Sequence, residues 1–425
     1  MQLIGIDIGT TSICGVVIDS ETGAVLKSKT INSDAFIKAA HSFEKIQSPE
    51  TIINKATEIL DSFITEETVS IGVTGQMHGI VYYDESGKAV SPLYIWQDKR
   101  GDEPYKDTTY ADYLGSHTGY GNVTDFYNRE NGLRPETAIN YCTIHDYFVM
   151  HLCGLKEAII HTSDAASFGL FDLESKKYNY DFTANVVDDY TVAGYYKNIP
   201  VSVAIGDNQA SVFSTLKGED GILLNVGTGS QVSIITDKII ESENLETRPY
   251  FEGKYLIVGA ALCGGRAFAV LKDFYKELLS YYADIDDSVV YGIMDKMAEE
   301  NGEPLTVDTR FSGTRANKDI LGSVSGISTE NFTPRNLTFG VLLGMVTELY
   351  NLYKEMGTQK TSLMGSGNGI SKNKPFIKLT EEKFGSTLKI PAHKEEAAYG
   401  AALFGAICKG FFKNAEDAQK LIKYE

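Results

Sequence analysis

The sequence predicts an α/β protein built as two related lobes. Three observations carry that prediction. Short β-branched segments alternate with amphipathic helical ones, the pattern of sheets covered by helices. A strand, a Gly-Thr turn and a second strand occur at the start of the chain and again halfway along it, with Thr228 standing where Thr10 stands. The chain also has 425 residues, more than one domain of about 100–200 residues accommodates.

Each element follows from its own residues. Residues 3–8 are apolar and β-branched, as a buried strand requires, and residues 13–18 repeat the character after Gly9-Thr10-Thr11-Ser12. A turn at Glu21-Thr22-Gly23 leads into a third strand over 24–30. Ser48-Pro49-Glu50 opens a helix, with Ser48 as N-cap and Pro49 in the first turn. Ile52, Ile53, Ala56, Ile59, Leu60 and Phe63 then recur on one face. Strand character returns over 69–74 and 80–83. Residues 98–135 are rich in Tyr, Gly, Asp and Asn without clear periodicity, which predicts a surface insertion on the first lobe. Residues 214–221 are polar with two glycines and mark the expected boundary. It divides a lobe over 1–216 from a lobe over 217–425.

Composition narrows the function. Lys and Arg number 39 against 57 Asp and Glu, a formal net charge of −18. That balance argues against nucleic acid, whose binders present a basic face, and against anionic lipid. Five scattered cysteines without a C-x-x-C pair support neither a zinc site nor a disulfide framework, so a reducing compartment is expected. Met1 passes directly into a strand with no basic leader, and the most apolar stretch, 397–412, holds Lys409 and is too short to span a bilayer. A cytoplasmic protein with no membrane partner is the expectation.

Six segments bear chemistry. Asp7-Ile8-Gly9-Thr10-Thr11 puts a carboxylate at a strand end, followed by a small-residue turn whose N–H groups and hydroxyls suit phosphate oxygens. Asp7 suits Mg2+ directly or through water. One such turn is equally an ordinary hairpin; the second, Gly227-Thr228-Gly229-Ser230, makes a pair suited to gripping one polyphosphate. Gly206-Asp207-Asn208 places an acid after a short apolar strand, fit either to cap the next helix or to take a proton from an attacking hydroxyl. Gly75-Gln76-Met77-His78-Gly79 joins two strands, and Trp96-Gln97-Asp98-Lys99-Arg100 holds the single Trp of the chain. An indole face beside Asp98 and Arg100 suits a polyol. Gly365-Ser366-Gly367-Asn368 lets backbone approach a flat ring closely, or is a plain flexible turn. Glu395-Glu396-Ala397-Ala398 opens a helix of small residues suited to tight packing.

In this order the motifs resemble those of the FGGY family of carbohydrate kinases, in the actin/Hsp70/sugar-kinase superfamily, over nearly the whole chain. The resemblance implies a two-lobed actin-like ATPase (ribonuclease H-like) fold, each lobe with a mixed five-stranded sheet, and an interlobe cleft. It implies ATP and Mg2+, with Thr10, Thr11, Gly227, Thr228, Gly229, Gly365, Gly367 and Asn368 at the nucleotide and Asp7 at the metal. Gln76, Met77, His78, Trp96, Asp98 and Arg100 would hold the sugar, and Asp207 would act as catalytic base. Residues 260–267 and 143–147 are most similar to the branch of the family that acts on the seven-carbon ketose sedoheptulose. A pentulose such as xylulose is the alternative, and a homodimer is the usual assembly among such kinases. A rival of another class is a chaperone or filament ATPase of the same superfamily, which shares the paired phosphate turns but has no use for the Trp96 segment.

Overall fold

Residues 2–32 fold as an antiparallel meander of β1 (Gln2–Ile8), β2 (Ser12–Asp19) and β3 (Val25–Asn32). The description rests on a computed structural model and covers residues 1–299, 304–314, 317–371 and 373–425. Helix α1 (Pro49–Phe63) follows; Ser48 Oγ accepts the Thr51 N–H at 3.2 Å, so the expected cap is the observed one. Its apolar stripe is buried against the first sheet's core together with Ile4, Ile6, Ile13 and Val17. The chain continues through β4 (Thr68–Gly75), α2 (Gly121–Glu130), α3 (Ile144–Cys153), α4 (Thr162–Ser167), β5 (Val192–Tyr196), β6 (Ile199–Ser202), β7 (Ile205–Gly206) and α5 (Asp207–Thr215).

The first sheet has the order β5-β6-β4-β1-β2-β3, with β7 also on β4. It has seven strands and not the five expected. The surplus arises at one side, where β7 adds a two-residue strand on the β4 edge beyond β6 and β5 folds back antiparallel on β6. Strands β1, β4 and β7 run parallel, with Ile8 beside Gly75 and Gly75 beside Gly206. Their C-terminal ends therefore lie in a row, the usual place for ligands in an α/β sheet.

The second sheet is built from β8 (Gly221–Val226), β9 (Ser230–Thr236), β10 (Leu245–Pro249), β11 (Tyr255–Ala261), β12 (Ser362–Ser366) and β13 (Leu388–Lys389), in the order β10-β11-β9-β8-β12-β13. Helices α6 (Gly264–Ser280), α7 (Asp287–Glu299), α8 (Pro334–Glu355) and α9 (Lys374–Phe384) surround its core of Leu224, Val232, Ile257, Val346 and Leu363. Six strands again exceed the expected five, because the short β13 extends the edge. The predicted internal repeat is visible in topology: β8 is antiparallel to β9 across a Gly-Thr turn and parallel to β12, as β1 is to β2 and β4.

Helix α10 (Glu396–Cys408) closes the fold. It packs on the first sheet, not the second. Backbone at Gly5 and Gly72 approaches it so closely that a Cβ on either would sit 1.8 Å from the Ala398 carbonyl oxygen or 1.7 Å from that of Ala401. The compact units are accordingly discontinuous. One comprises Met1–Gly218, Arg248–Lys254 and His393–Lys423; the other comprises Glu219–Thr247, Tyr255–Ala392 and Tyr424–Glu425. The changeover at residue 218 lies beside the boundary read from sequence, but the returning segments were not foreseen.

The insertion expected over 98–135 has more structure than the sequence suggested. Helix α2 lies within it and turns Asn122, Thr124, Asp125 and Asn128 inward. A polar buried face carries no hydropathy signal, so the helix was invisible to a search for apolar periodicity. All five cysteines are unpaired thiols. Among the described residues no helix is long and apolar enough to cross a membrane.

Candidate active site

The ends of β1, β4 and β7 gather the first group of predicted residues. Asp7 precedes the turn after β1, Gln76 follows β4, and Asp207 is the first residue of α5 after β7. Gly206 caps that helix, so Asp207 is not itself the cap. Both carboxylates are half-buried. Burial and the neighbouring Asp207 push the Asp7 carboxyl up to about 7. Burial also raises Asp207, against the opposing pull of His145 and Arg248. Each acid is thus set nearer to neutral pH than an exposed carboxylate, as proton-transfer groups require.

The turn between β1 and β2 is held by a polar chain. Trp96 Nε1 donates to Thr10 Oγ1 at 3.1 Å, and Thr10 Oγ1 donates to Gln76 Oε1 at 3.0 Å. Gln76 Nε2 donates to Gln47 Oε1 at 3.0 Å, and Gln47 Nε2 donates back to the Thr10 carbonyl at 2.7 Å. Gln47 was not singled out from sequence; it precedes the α1 cap by one residue. The network joins the turn predicted for phosphate to the segments predicted for the sugar. The Trp96 ring remains 47% exposed, an open apolar face beside that turn. His78 adopts φ of 72° and stacks on Tyr120 with centroids 4.3 Å apart. Its Nδ1 lies 2.8 Å from the Ser167 carbonyl, which only accepts, so Nδ1 carries the proton. Met77 lines the same segment; its Sδ lies 2.7 Å from where a Cβ at position 206 would stand, so the Met77 side chain packs directly on that strand end.

Asp98 and Arg100 occupy a different place from the one expected. They turn inward, 0% and 1% exposed. Arg100 Nε donates to Asp98 Oδ1 at 2.7 Å and Nη2 to Oδ2 at 3.1 Å, while Nη1 binds Asn128. Asp98 Oδ2 also accepts the Lys45 N–H at 2.9 Å, and the guanidinium lies 4.2 Å from the Tyr94 ring centroid. The bidentate geometry and the aromatic face favour the interior for this pair. It braces the Trp96 turn from beneath; in this structure neither group faces solvent.

A second layer under the acids was not found from sequence. His145, the second residue of α3, is wholly buried, with Nε2 3.0 Å from Oδ1 of the equally buried Asp164 on α4. Burial pulls the imidazole down, but Asp164, Asp146 and Asp207 outweigh it and raise its pKa to about 9. Ser163 Oγ accepts the Gly206 N–H at 3.1 Å and fixes the end of β7. Only a capping pattern marks His145, since Thr143 Oγ1 bonds both the N–H and the carboxylate of Asp146. Asp164 stands in an unremarkable run of small residues.

In the second sheet, Gly227–Gly229 form an exposed turn between β8 and β9. The first amides of α6 brace it: Gly265 N–H donates to Gly227 O at 3.1 Å and Arg266 N–H to Thr228 O at 2.9 Å. Gly365 and Gly367 lie beside it, because β12 runs parallel to β8 with Asn225 opposite Ser366. Gly367 has φ of 85°, and a Cβ there would meet Val226 O at 2.6 Å. The two predicted nucleotide segments are therefore neighbours at the C-terminal ends of adjacent strands, with Asn368 opening a one-turn helix behind them.

Comparison with known proteins shows the family of the chain. Residues 2–188 match the N-terminal domain of the FGGY family of carbohydrate kinases, and residues 222–408 match its C-terminal domain. The chain belongs to the FGGY family. It is a carbohydrate kinase with the two-domain, actin-like α/β fold. It is 29% identical to sedoheptulokinase from Homo sapiens, over 94% of this chain and 96% of that protein. Xylulose kinase from Rhodospirillum rubrum has the same fold at a TM-score of 0.86 and 18% identity, covering 100% of this chain and 93% of that one. Glycerol kinase from Plasmodium falciparum, solved with ADP, follows at 0.80 and 19%, over 99% and 92%. In this FGGY chain Asp7 lies within the N-terminal domain match and the Gly227 and Gly365 segments within the C-terminal one, while Asp207 falls between the two.

Proposed function

We propose that this FGGY kinase transfers the γ-phosphoryl group of ATP to the terminal hydroxyl of a ketose, with sedoheptulose as substrate and sedoheptulose 7-phosphate as product. The observation that carries the reading is Asp207, half-buried at the end of β7 with a raised pKa, in the row that also holds Asp7 and Gln76. The seven-carbon substrate is favoured by the similarity to sedoheptulokinase over nearly the full length of both proteins. A pentulose is the second reading, since xylulose kinases are also similar, at lower identity.

The sugar lies against Gln76, Met77, His78 and the open face of Trp96. Asp98 and Arg100 act by holding the Trp96 turn. Thr10 and Thr11 are phosphate-binding residues of one unit, and Gly227, Thr228 and Gly229 of the other; Gly365, Gly367 and Asn368 receive the adenosine. Asp207 takes the proton of the attacking hydroxyl. Transfer to phosphorus proceeds through a loose transition state that asks for little base strength, so alignment of the hydroxyl dominates. Asp7 fits a cation, because its Oδ1 is buried without a hydrogen-bond partner. Mg2+ bound there would supply charge compensation to the phosphates.

Asp207→Asn tests the assignment of the base. The variant is expected to lose at least about 10³-fold in kcat while binding ATP·Mg2+ as the wild type does, measured by calorimetry. Turnover near the wild-type value would refute the role.

A further inference from the structure

Beneath the proposed site lies a buried cluster that the mechanism above leaves unused. His145, Asp146 and Asp164 are wholly buried, and one ligand atom from each lies within 4.8 Å of the others. Both oxygens of Asp164, Asp146 Oδ1 and both ring nitrogens of His145 lack a well-formed hydrogen bond, and the 3.0 Å approach of Nε2 to Asp164 Oδ1 is an ion-pair contact. Buried carboxyls so poorly solvated by hydrogen bonds either keep a proton or are held by a nearby positive charge. The imidazole is also pressed against the catalytic row. A Cβ on Gly75 would lie 3.0 Å from His145 Nδ1, and Gly75 is the register partner of both Ile8 and Gly206. His145 thus stands under the strand ends that present Asp7 and Asp207.

We infer that His145 is a positioning residue for phosphoryl transfer: seated against Asp164 and beneath the Gly75–Gly206 strand ends, it is the buried cation that holds the Asp207 carboxylate in place. The inference rests on the function proposed above. Charges face this ring from several elements. Asp146 lies on α3, Asp164 on α4, Asp207 on α5 and Asp7 on β1, while Arg248 acts on Asp207 and Glu395 on Asp7. Acids outnumber bases, so loss of the one imidazolium leaves the acids to repel one another. For packing alone an apolar pair of the same volume would serve as well or better, because burying an ion pair costs desolvation. An ion pair kept directly beneath two reactive carboxylates is explained by their need for its charge.

The test compares His145→Gln with His145→Lys, in steady-state assays with the ketose and ATP, with melting temperature recorded for each. Removal of the charge is expected to lower kcat by about 10²-fold with both KM values within about threefold, since ground-state binding surfaces are untouched. His145→Lys, which restores a cation, is expected to recover kcat to within about tenfold of the wild type. A merely structural histidine would give no rescue by lysine, and equal kcat values for the two variants would overturn the inference. So would a wild-type kcat in His145→Gln, or stoichiometric metal in the purified protein that this variant loses. Should His145→Gln fail to fold, Asp164→Asn provides the same test, because it removes the anchor and keeps the ring; an unchanged kcat there would again overturn it. Asp207→Asn separates the two readings. An active Asp207→Asn overturns the base assignment, whereas an inactive Asp207→Asn beside a fully active His145→Gln overturns only the present inference.

Discussion

Thr10 illustrates how far single residues were legible. Its place after Asp7 marked it for phosphate, and the fold adds a second duty, since its hydroxyl links Trp96 to Gln76. Motif reading supplied the residue types but not this linkage, because the partners are distant in sequence. Asp98 and Arg100 show the converse. Their spacing suited a polyol, yet two residues apart they also form a bidentate pair, and burial between aromatic rings favours that pairing. The segment 143–147 was noted only for its resemblance, and the pairing of His145 with Asp164 was missed because nothing local distinguishes a buried ion pair from a helix cap and a run of small residues. Their pairing makes stability depend on pH. His145 is raised from the ordinary 6.5 to about 9, so the stability it contributes is complete below 6.5 and is lost as pH rises through 9. Asp146, raised from 3.8 to about 8 by burial and by Asp164, loses its contribution between those two values and so adds to the decline only up to about 8. His161, held down to about 4 by burial, works in the opposite sense only between 4 and 6.5. The melting temperature should therefore fall between pH 6.5 and 9, by an amount worth at most about 3 kcal/mol for His145 alone. His145→Gln should flatten the decline in that window, and an identical decline in the variant would contradict the assignment.

Elements were the most legible level where apolar periodicity was strong. The β-branched runs that became β1, β2 and β4 and the Ser48-Pro49 start of α1 needed no tertiary information. Helix α2 failed that test, since its inward face is polar and is satisfied by groups remote in sequence, such as Tyr82 and Tyr180 on Asp125. Helix α10 was recognised by its small residues, and the structure shows why they are small. Gly400 meets the Ala210 carbonyl oxygen at a would-be Cβ distance of 1.9 Å, and Gly5 and Gly72 meet the other side of the helix. No rotamer change relieves a clash with backbone. Gly72→Ala is expected to destabilise the protein by about 3 kcal/mol or more, seen as a lower melting temperature or loss of folded protein on expression. A variant with wild-type stability would show that the helix has freedom to move away from the sheet.

At the scale of the whole molecule, the repeated hairpin foretold two similar sheets, and both were found. The discontinuity of the units was not foretold, because the return of 248–254 and 393–423 to the first unit depends on packing and not on chain order. Both FGGY domains together define the protein as a carbohydrate kinase, and its catalytic identity is a property of the full chain. The central claim is that ATP turnover is tied to a ketose. It is tested most directly by ADP release from the intact protein with sedoheptulose, xylulose, ribulose, fructose, glycerol or no acceptor, with the product read by phosphorus NMR. Turnover should require an acceptor, run fastest with sedoheptulose and place phosphate on its terminal carbon. ADP release at the same rate without any sugar would contradict the account.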